Sequence, residues 1–209
     1  MSLIEMTVKD FTTKLGSEAP APGGGSAAAL SGALGAALVS MVCNLTIGKT
    51  KYAEYEAYTR EVLKKSDDLM MKLLDAVQKD TDAFDAVMIA FAMPKETEEE
   101  KTVRSVAIQA AYRVAIASPE ATAEYCLAVI KLAQSLLGKS NANAASDLAV
   151  GIMQTYAGIR GALMNVRINL PAVKDAAYVA EKKAWADQVE KDAVQIMQIV
   201  ETEVAKQFV

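Results

Sequence analysis

The uncharged run from residue 20 to residue 48 constrains the fold most. It opens as Pro-Ala-Pro-Gly-Gly-Gly-Ser and continues almost wholly in Ala, Gly, Ser and Leu. The prolines end any preceding helix, and the glycines free the backbone for unusual angles. The run therefore predicts a loop followed by a helix that Ser26 caps and that ends near Thr46. Small residues share one face of this helix, where other backbones can approach closely: Gly25, Ala28, Gly32 and Ala36.

An uncharged run of this length also raises the alternative of a membrane span. Ala, Gly and Ser contribute little to insertion, and Leu, Ile and Val are sparse here, so we expect a helix at the centre of a soluble bundle. The first fifteen residues carry acids and lysines, which predicts no signal peptide and a cytoplasmic protein. Cys43 and Cys126 lie in apolar helical contexts and are expected to be reduced core residues.

Residue counts narrow the chemistry. The 209 residues are 52% hydrophobic, alanine-rich and only 6% aromatic, which favours close-packed helices over sheets. The chain contains no histidine, which excludes a His-based triad, a His metal site and an imidazole proton shuttle. A net charge of −4 without a long basic run argues against a nucleic-acid partner.

Hydrophobic spacing and capping residues predict about seven helices and no strand. Among the capping residues, Thr97 is predicted to cap the fourth helix. Ser118-Pro119 is interpreted as the start of a new helix, because Ser is a good N-cap and Pro suits the first helical position. No repeat, linker or change in composition divides the chain, which is predicted to be one all-α domain over residues 1–209. The predicted helices cover about 7–16, 26–46, 52–91, 97–117, 118–137, 143–169 and 175–206.

Asp80 is the strongest candidate for chemistry. On a helical wheel it lies near the centre of an apolar stripe: Leu73, Val77, Phe84 and Val87. Its carboxylate is therefore expected to face the interior, where burial raises the pKa and suits a general acid or base. Asp82 points to the opposite side and is expected to be solvated. The alternative for Asp80 is a buried carboxylate that only caps a backbone or pairs with a lysine.

The predicted 143–169 helix carries a second candidate feature. Seven residues share one of its faces: Asp147, Gly151, Thr155, Gly158, Ala162, Asn165 and Asn169. Two glycines inside a helix cost about 1 kcal/mol each relative to Ala, which either close packing or the approach of a ligand would explain. Asn141 and Asn143, just before this helix, carry amides that are able to bind a heterocycle.

The two ends of the uncharged run are further candidates. Residues 23–28 match G-x-G-x-x-A, but no strand precedes them, so a dinucleotide site is rejected and a general ligand contact remains. Lys49 and Lys51 follow the buried helix. They are interpreted either as a solvated turn or as a clamp for substrate carboxylates.

Five segments, in this order, resemble the cyclodeaminase/cyclohydrolase family of folate enzymes: 20–42, 44–52, 82–88, 93–101 and 165–170. The resemblance covers nearly the whole chain. The family includes the C-terminal domain of formiminotransferase-cyclodeaminase and stand-alone bacterial methenyltetrahydrofolate cyclohydrolases. The stretch Met-Val-Cys-Asn-Leu-Thr-Ile-Gly-Lys at 41–49 looks closer to the stand-alone enzymes.

The resemblance implies an all-α fold that pairs as a homodimer, with folate bound near the glycine loop. It places the family's catalytic aspartate at Asp80. It implies no metal and no cofactor beyond the tetrahydrofolate substrate. Most relatives have a basic residue where this chain has Thr50, which leaves fewer positive charges for the substrate's glutamate. The implied substrate-binding residues are Gly23, Gly24, Gly25, Ser26, Asn44, Lys49, Lys51, Asn141, Asp147 and Asn165.

The activity implied by the resemblance is hydrolysis of 5,10-methenyltetrahydrofolate to 10-formyltetrahydrofolate, with Asp80 as the general base. The same residues would also serve a formiminotetrahydrofolate cyclodeaminase, which closes the same ring and releases ammonia. Two alternatives of another class remain. A non-catalytic folate-binding protein would bind folate without turnover, and a helical interaction module would not bind folate at all.

Overall fold

The computed structural model describes residues 2–207 and contains no strand within them, which confirms the predicted all-α fold. The six α-helices are α1 (Val8–Leu15), α2 (Gly24–Thr46), α3 (Glu56–Ala92), α4 (Glu98–Ser135), α5 (Ala145–Asn169) and α6 (Ala176–Gln207). Short 3-10 helices lie at Leu3–Glu5, Thr50–Tyr55, Ala142–Ala144 and Leu170–Ala172.

Helix α2 is the centre of the bundle. It packs against α3, α4 and α5, while α6 covers the outer side of α4 and α5. By length and composition α2 is able to cross a membrane, but 61% of its most apolar window is buried inside the bundle. This burial favours the predicted core helix over a membrane span.

Glycines bring the backbones of α2 and α5 together. A Cβ atom on Gly35 would overlap Thr155 Oγ1 and lie 2.7 Å from the Gly151 carbonyl oxygen. A Cβ atom on Gly158 would lie 2.9 Å from the Ala28 carbonyl oxygen. Close packing therefore accounts for Gly151 and Gly158, and the second explanation, approach of a ligand, is not needed for them.

Two capping predictions have different outcomes. Thr97 caps α4 through a reciprocal pair of hydrogen bonds with Glu100, as the sequence predicts. The prediction that Ser26 caps α2 is wrong, because the helix begins at Gly24 with Gly23 as its N-cap. Ser26 lies inside the first turn, and its hydroxyl bonds across to α3.

The predicted break at Ser118-Pro119 is also wrong. Helix α4 continues through Pro119 without interruption, so two predicted helices are one and the described chain has six. A proline inside a helix deprives the carbonyl four residues earlier of its N–H partner. Here that carbonyl belongs to Ala115, and the side-chain amide of Asn169 donates to it at 3.2 Å.

Candidate active site

A cavity of about 460 Å³ lies between the N-terminus of α2, the second half of α3, the middle of α4 and the C-terminus of α5. The glycine loop, residues 23–25, forms one wall. Besides Tyr112, the polar side chains that line it are Asp80, Thr81, Asn165 and Asn169. The structure therefore brings together the predicted catalytic aspartate, the predicted glycine loop and one predicted amide.

Asp80 faces the first turn of α2. Its carboxylate accepts hydrogen bonds from the Ser26 backbone N–H and from the Ser26 hydroxyl, the latter at 3.1 Å. Burial raises the pKa of Asp80 above its ordinary value, and the bonds from Ser26 lower it by less. Asp80 thus caps the α2 backbone, one of the two predicted roles, and also presents a carboxylate of raised pKa to the cavity.

Gly25 makes this arrangement possible. A Cβ atom on Gly25 would overlap Asp80 Oδ1 and lie 2.7 Å from Oδ2. Only glycine lets the backbone at the start of α2 approach the Asp80 carboxylate this closely. The glycine loop therefore shapes the site through its missing side chain as well as through its backbone N–H groups.

The Ser26 hydroxyl is fully buried beside three acceptors. Its oxygen lies 2.9 Å from the Val77 carbonyl oxygen, 3.1 Å from Asp80 Oδ2 and 3.3 Å from Thr81 Oγ1. A hydroxyl carries a single hydrogen, so it donates to one of these atoms at a time.

Aromatic side chains form a second part of the cavity wall. Phe91 of α3 and Tyr112 of α4 meet edge to face, with ring centroids 6.2 Å apart, and Phe84 lies one step nearer to Asp80. Flat rings beside a carboxylate suit a flat heterocyclic or aromatic ligand. Phe91 and Tyr112 were not among the predicted site residues, because they are distant in sequence and meet only through the packing of α3 on α4.

Asn165 and Asn169 occupy the end of α5 at the cavity. Asn165 Nδ2 donates to the Gly161 carbonyl at 2.9 Å, and Asn169 Nδ2 donates to the carbonyls of Ala115 and Asn165. The sequence places Asn169 on the correct helix face, but it was not among the predicted binding residues. What identifies Asn169 is its hydrogen bond to the Ala115 carbonyl, which Pro119 leaves without a helical donor. This contact is visible only in the tertiary structure.

Five predicted binding residues lie away from this cavity. Asn44, Lys49 and Lys51 are exposed at or beyond the C-terminal end of α2. Since α2 has 23 residues, its two ends are about 35 Å apart. Lys51 and Asn141 line a separate cavity of about 150 Å³ at that end.

Asn141 and Asp147 also belong to the far end. The Asn141 side chain is buried, donates to the Leu45 carbonyl at 3.2 Å and accepts from the Asn143 backbone N–H. It thereby satisfies one of the last carbonyls of α2. Asp147 lies in the first turn of α5, half-buried, where a carboxylate favours the helix dipole. Within one copy neither residue reaches Asp80.

A sequence profile described as formiminotransferase-cyclodeaminase matches residues 7–188. The chain belongs to this family. The match confirms the resemblance inferred from the five segments and extends over the bundle from α1 into α6. It includes every residue that lines the cavity.

Members of the family with different activities are similar to this chain. It is 48% identical over 176 residues to a methenyltetrahydrofolate cyclohydrolase of Methylorubrum extorquens, covering 84% of this chain and 85% of that protein. It is 37% identical over 180 residues to the formimidoyltransferase-cyclodeaminase of Sus scrofa, covering 86% of this chain but 33% of that protein. The chain thus spans about a third of the pig enzyme.

The fold is that of a solved family member. The crystal structure of formiminotetrahydrofolate cyclodeaminase from Thermotoga maritima superposes with a TM-score of 0.87 at 25% identity. The match covers 97% of both chains. The helical bundle is therefore the architecture of a formiminotransferase-cyclodeaminase family enzyme along almost its whole length.

Proposed function

We propose that this chain is an enzyme that hydrolyses 5,10-methenyltetrahydrofolate to 10-formyltetrahydrofolate. The observation that carries the proposal is the Asp80 carboxylate, whose pKa burial raises and which faces a cavity with aromatic and amide walls. The 48% identity to a methenyltetrahydrofolate cyclohydrolase over most of both chains supports this activity over the others known in the family.

In the proposed reaction, Asp80 removes a proton from water as the water oxygen attacks the electrophilic methenyl carbon. The tetrahedral intermediate then loses its hydroxyl proton, and the bond from this carbon to the pterin-side nitrogen breaks. Protonated Asp80 returns a proton to that nitrogen, so one proton is released overall. The ionised carboxylate also favours the cationic substrate electrostatically. The proposal requires no metal or further cofactor, and the described residues contain no cluster of acids and cysteines able to hold a metal ion.

The second candidate activity is that of a formiminotetrahydrofolate cyclodeaminase. The observation that favours it is the superposition on the Thermotoga maritima enzyme of that name over 97% of both chains. The two reactions share a tetrahedral carbon between the same two nitrogens, so one carboxylate can serve both.

Purified protein should be assayed with both substrates. We expect rapid loss of the methenyl absorbance when 5,10-methenyltetrahydrofolate is added, and little or no ammonia from formiminotetrahydrofolate. Ammonia release without hydration of the methenyl substrate would assign the second activity. Binding of tetrahydrofolate with no turnover of either substrate would instead indicate a non-catalytic folate-binding protein, and no binding would indicate an interaction module.

A homodimer is part of the proposal, and an exposed apolar surface supports it. This surface, here called the α2–α5 face, runs along two adjoining helices, which Ser31 and Gln154 join by hydrogen bonds. Helix α2 contributes no charge to it. A contiguous apolar surface of this kind is typical of an interface between subunits. Its exposed large side chains are Leu34, Met41, Leu45, Val150, Met153, Met164 and Ile168.

The α2–α5 face also touches the cavity, because Ile168 lies on both. If two copies pack these faces together with their α2 helices antiparallel, the far end of one α2 lies over the partner's cavity. Asn44, Lys49 and Lys51 would then reach the partner's site, where the lysines would attract the glutamate tail of the substrate. The two-copy site is the arrangement in which these predicted residues and Asp80 act together.

Mixed dimers test this arrangement. We expect Asp80→Asn to have a strongly lowered kcat and the Lys49→Ala/Lys51→Ala variant to have a raised KM at normal kcat. Co-expressed with separate affinity tags and purified as the mixed dimer, the two chains should form one intact site and regain low-KM activity. If the mixed dimer shows no low-KM activity, the lysines do not act across the interface.

Light scattering on Met153→Glu, with Asp82→Asn as the surface control, should show whether the α2–α5 face holds the dimer.

The cytoplasm is the proposed location. Cys43 and Cys126 are both free and buried, and burial raises the pKa of each thiol to about 12, so neither is reactive. Free thiols of this kind suit a reducing compartment. We propose no nucleic-acid or membrane partner.

A further inference from the structure

The side-chain amide of Asn169 bonds to the carbonyl that the proline inside α4 leaves free, and it also lines the cavity. Pro119 has no backbone N–H, so the carbonyl of Ala115 lacks its helical donor. Asn169 Nδ2 supplies that donor from α5 at 3.2 Å. Ala115 and Asn169 both line the cavity, so the repair of the α4 backbone takes place in the wall of the site.

The two bonds made by Asn169 determine which way its amide faces. Nδ2 donates to the Ala115 carbonyl and, at 2.9 Å, to the Asn165 carbonyl. Carbonyl oxygens only accept hydrogen bonds, so the amide nitrogen must occupy this position and cannot exchange with the oxygen. Both N–H groups are used, and Oδ1, which makes no bond to the protein within residues 2–207, is the remaining polar atom.

The neighbouring Asn165 repeats the pattern. Its Nδ2 is bound to the Gly161 carbonyl, and its Oδ1 accepts no bond from the described part of the chain. Together with the Asp80 carboxylate, the two asparagine side chains present acceptors rather than donors to the cavity. Such a wall is complementary to a ligand edge that carries N–H groups, as the amino-pyrimidinone ring of a reduced pterin does.

We propose that Asn169 Oδ1 binds an N–H group of the substrate's pterin ring, and that Pro119 is a positioning residue that fixes the Asn169 amide by freeing the Ala115 carbonyl. The inference deepens the proposed function and rests on a folate as the ligand. Without a proline at this position, the Ala115 carbonyl would accept its hydrogen bond from within α4. The Asn169 amide would then keep only its bond to the Asn165 carbonyl of α5.

Three variants separate binding from folding. Asn169→Ala removes the acceptor but leaves the Ala115 carbonyl without a donor. Pro119→Ala restores a helical N–H for this carbonyl and releases the amide. The double variant does both, so it folds even where Asn169→Ala does not. Gln188→Ala, which removes an exposed amide on α6 that donates to Asp192, is the matched control.

The readouts are KM and kcat for the methenyl substrate, the Kd for tetrahydrofolate, which cannot react, and Tm. We expect Asn169→Ala and the double variant to raise KM and Kd by about tenfold to a hundredfold. Pro119→Ala should raise KM and Kd by a smaller factor. Its kcat should be unchanged, and its Tm should be unchanged or higher. The double variant should bind no worse than Asn169→Ala, because Pro119 acts through this amide.

Opposite results separate the inference from the proposed function. If KM and Kd stay at wild-type values in all three variants, the inference is wrong, although wild-type turnover still supports the function. A fall in Tm with unchanged KM in Pro119→Ala would show that the proline is only structural and would also overturn it. If wild-type protein binds tetrahydrofolate without turnover, the function fails and the inference is judged on Kd. No binding by wild-type protein refutes both.

Discussion

Replacing Asp80 with asparagine should lower kcat for hydration of the methenyl substrate by about 10²–10⁴-fold, the contribution that a positioned general base makes. Asparagine keeps the size of the side chain and still accepts the hydrogen bond from the Ser26 N–H, so the cavity should keep its shape. Stopped-flow absorbance of the methenyl group measures the rate. Asp82 is an exposed neighbour that accepts a hydrogen bond from Gln78, so Asp82→Asn is the matched control and should retain full activity.

The same variant should not be less stable. A carboxyl whose pKa is raised on folding favours the folded state below its unfolded pKa, and this contribution is lost as pH rises through the folded pKa. At neutral pH the buried charge of Asp80 therefore opposes folding, and asparagine removes it. We expect Tm at pH 7 to be unchanged or higher than in the wild type, which would separate lost catalysis from lost structure.

The pH dependence of the wild-type rate completes this test. Because Asp80 must be ionised to act as a base, kcat/KM should fall as pH drops through its raised pKa, above the range of an ordinary aspartate. The residual activity of Asp80→Asn should lack this step. An Asp80→Asn enzyme with near wild-type kcat and the same acid limb would mean that another group is the base.

Gly35→Ala should be the most damaging single-methyl change in the bundle. The added Cβ would overlap Thr155 Oγ1 and lie 2.7 Å from the Gly151 carbonyl and 3.0 Å from the Thr155 backbone nitrogen. Two of these atoms belong to the α5 backbone and cannot rotate away, so α2 and α5 must separate. Overpacking of this kind costs about 1–3 kcal/mol or more in the free energy of unfolding, against about 1 kcal/mol gained in helix propensity.

Urea unfolding measures this loss as a lower transition midpoint at an unchanged slope. Gly16→Ala is the control, since a Cβ there would meet its nearest atom, the Thr12 carbonyl oxygen, at 3.4 Å, an ordinary contact. We expect wild-type stability for the control. Equal midpoints for the two variants would show that the contact between α2 and α5 is looser than described.

Local sequence patterns were enough to place Asp80 and the glycine loop. The helical wheel alone predicted that Asp80 faces the interior. The glycines that follow Pro22 predicted the start of the central helix to within a few residues. Both signals are local: one comes from helical periodicity over α3, the other from backbone freedom at a single loop. The family resemblance then supplied a chemistry that these positions fit.

Features that depend on partners distant in sequence were not predictable in the same way. Pro119 was expected to start a helix, because the amide that satisfies the Ala115 carbonyl lies 54 residues away in the chain. In sequence, one helix and a short turn separate Lys49 and Lys51 from the glycine loop. That helix, α2, has 23 residues, so within one copy the lysines lie at the opposite end of the bundle. Helical periodicity predicts which way a side chain points. It does not predict which distant residue the side chain contacts, or at which end of the bundle it lies.

In the proposed reaction, the buried Ser26 hydroxyl can respond to the charge of Asp80. When Asp80 is ionised, the hydroxyl hydrogen points to Oδ2 and supports the negative charge. When Asp80 has taken a proton from water, the same hydrogen can turn to the Val77 carbonyl, 2.9 Å from the oxygen. Each cycle of the proposed reaction then requires rotation of the Ser26 hydroxyl hydrogen about the Cβ–Oγ bond.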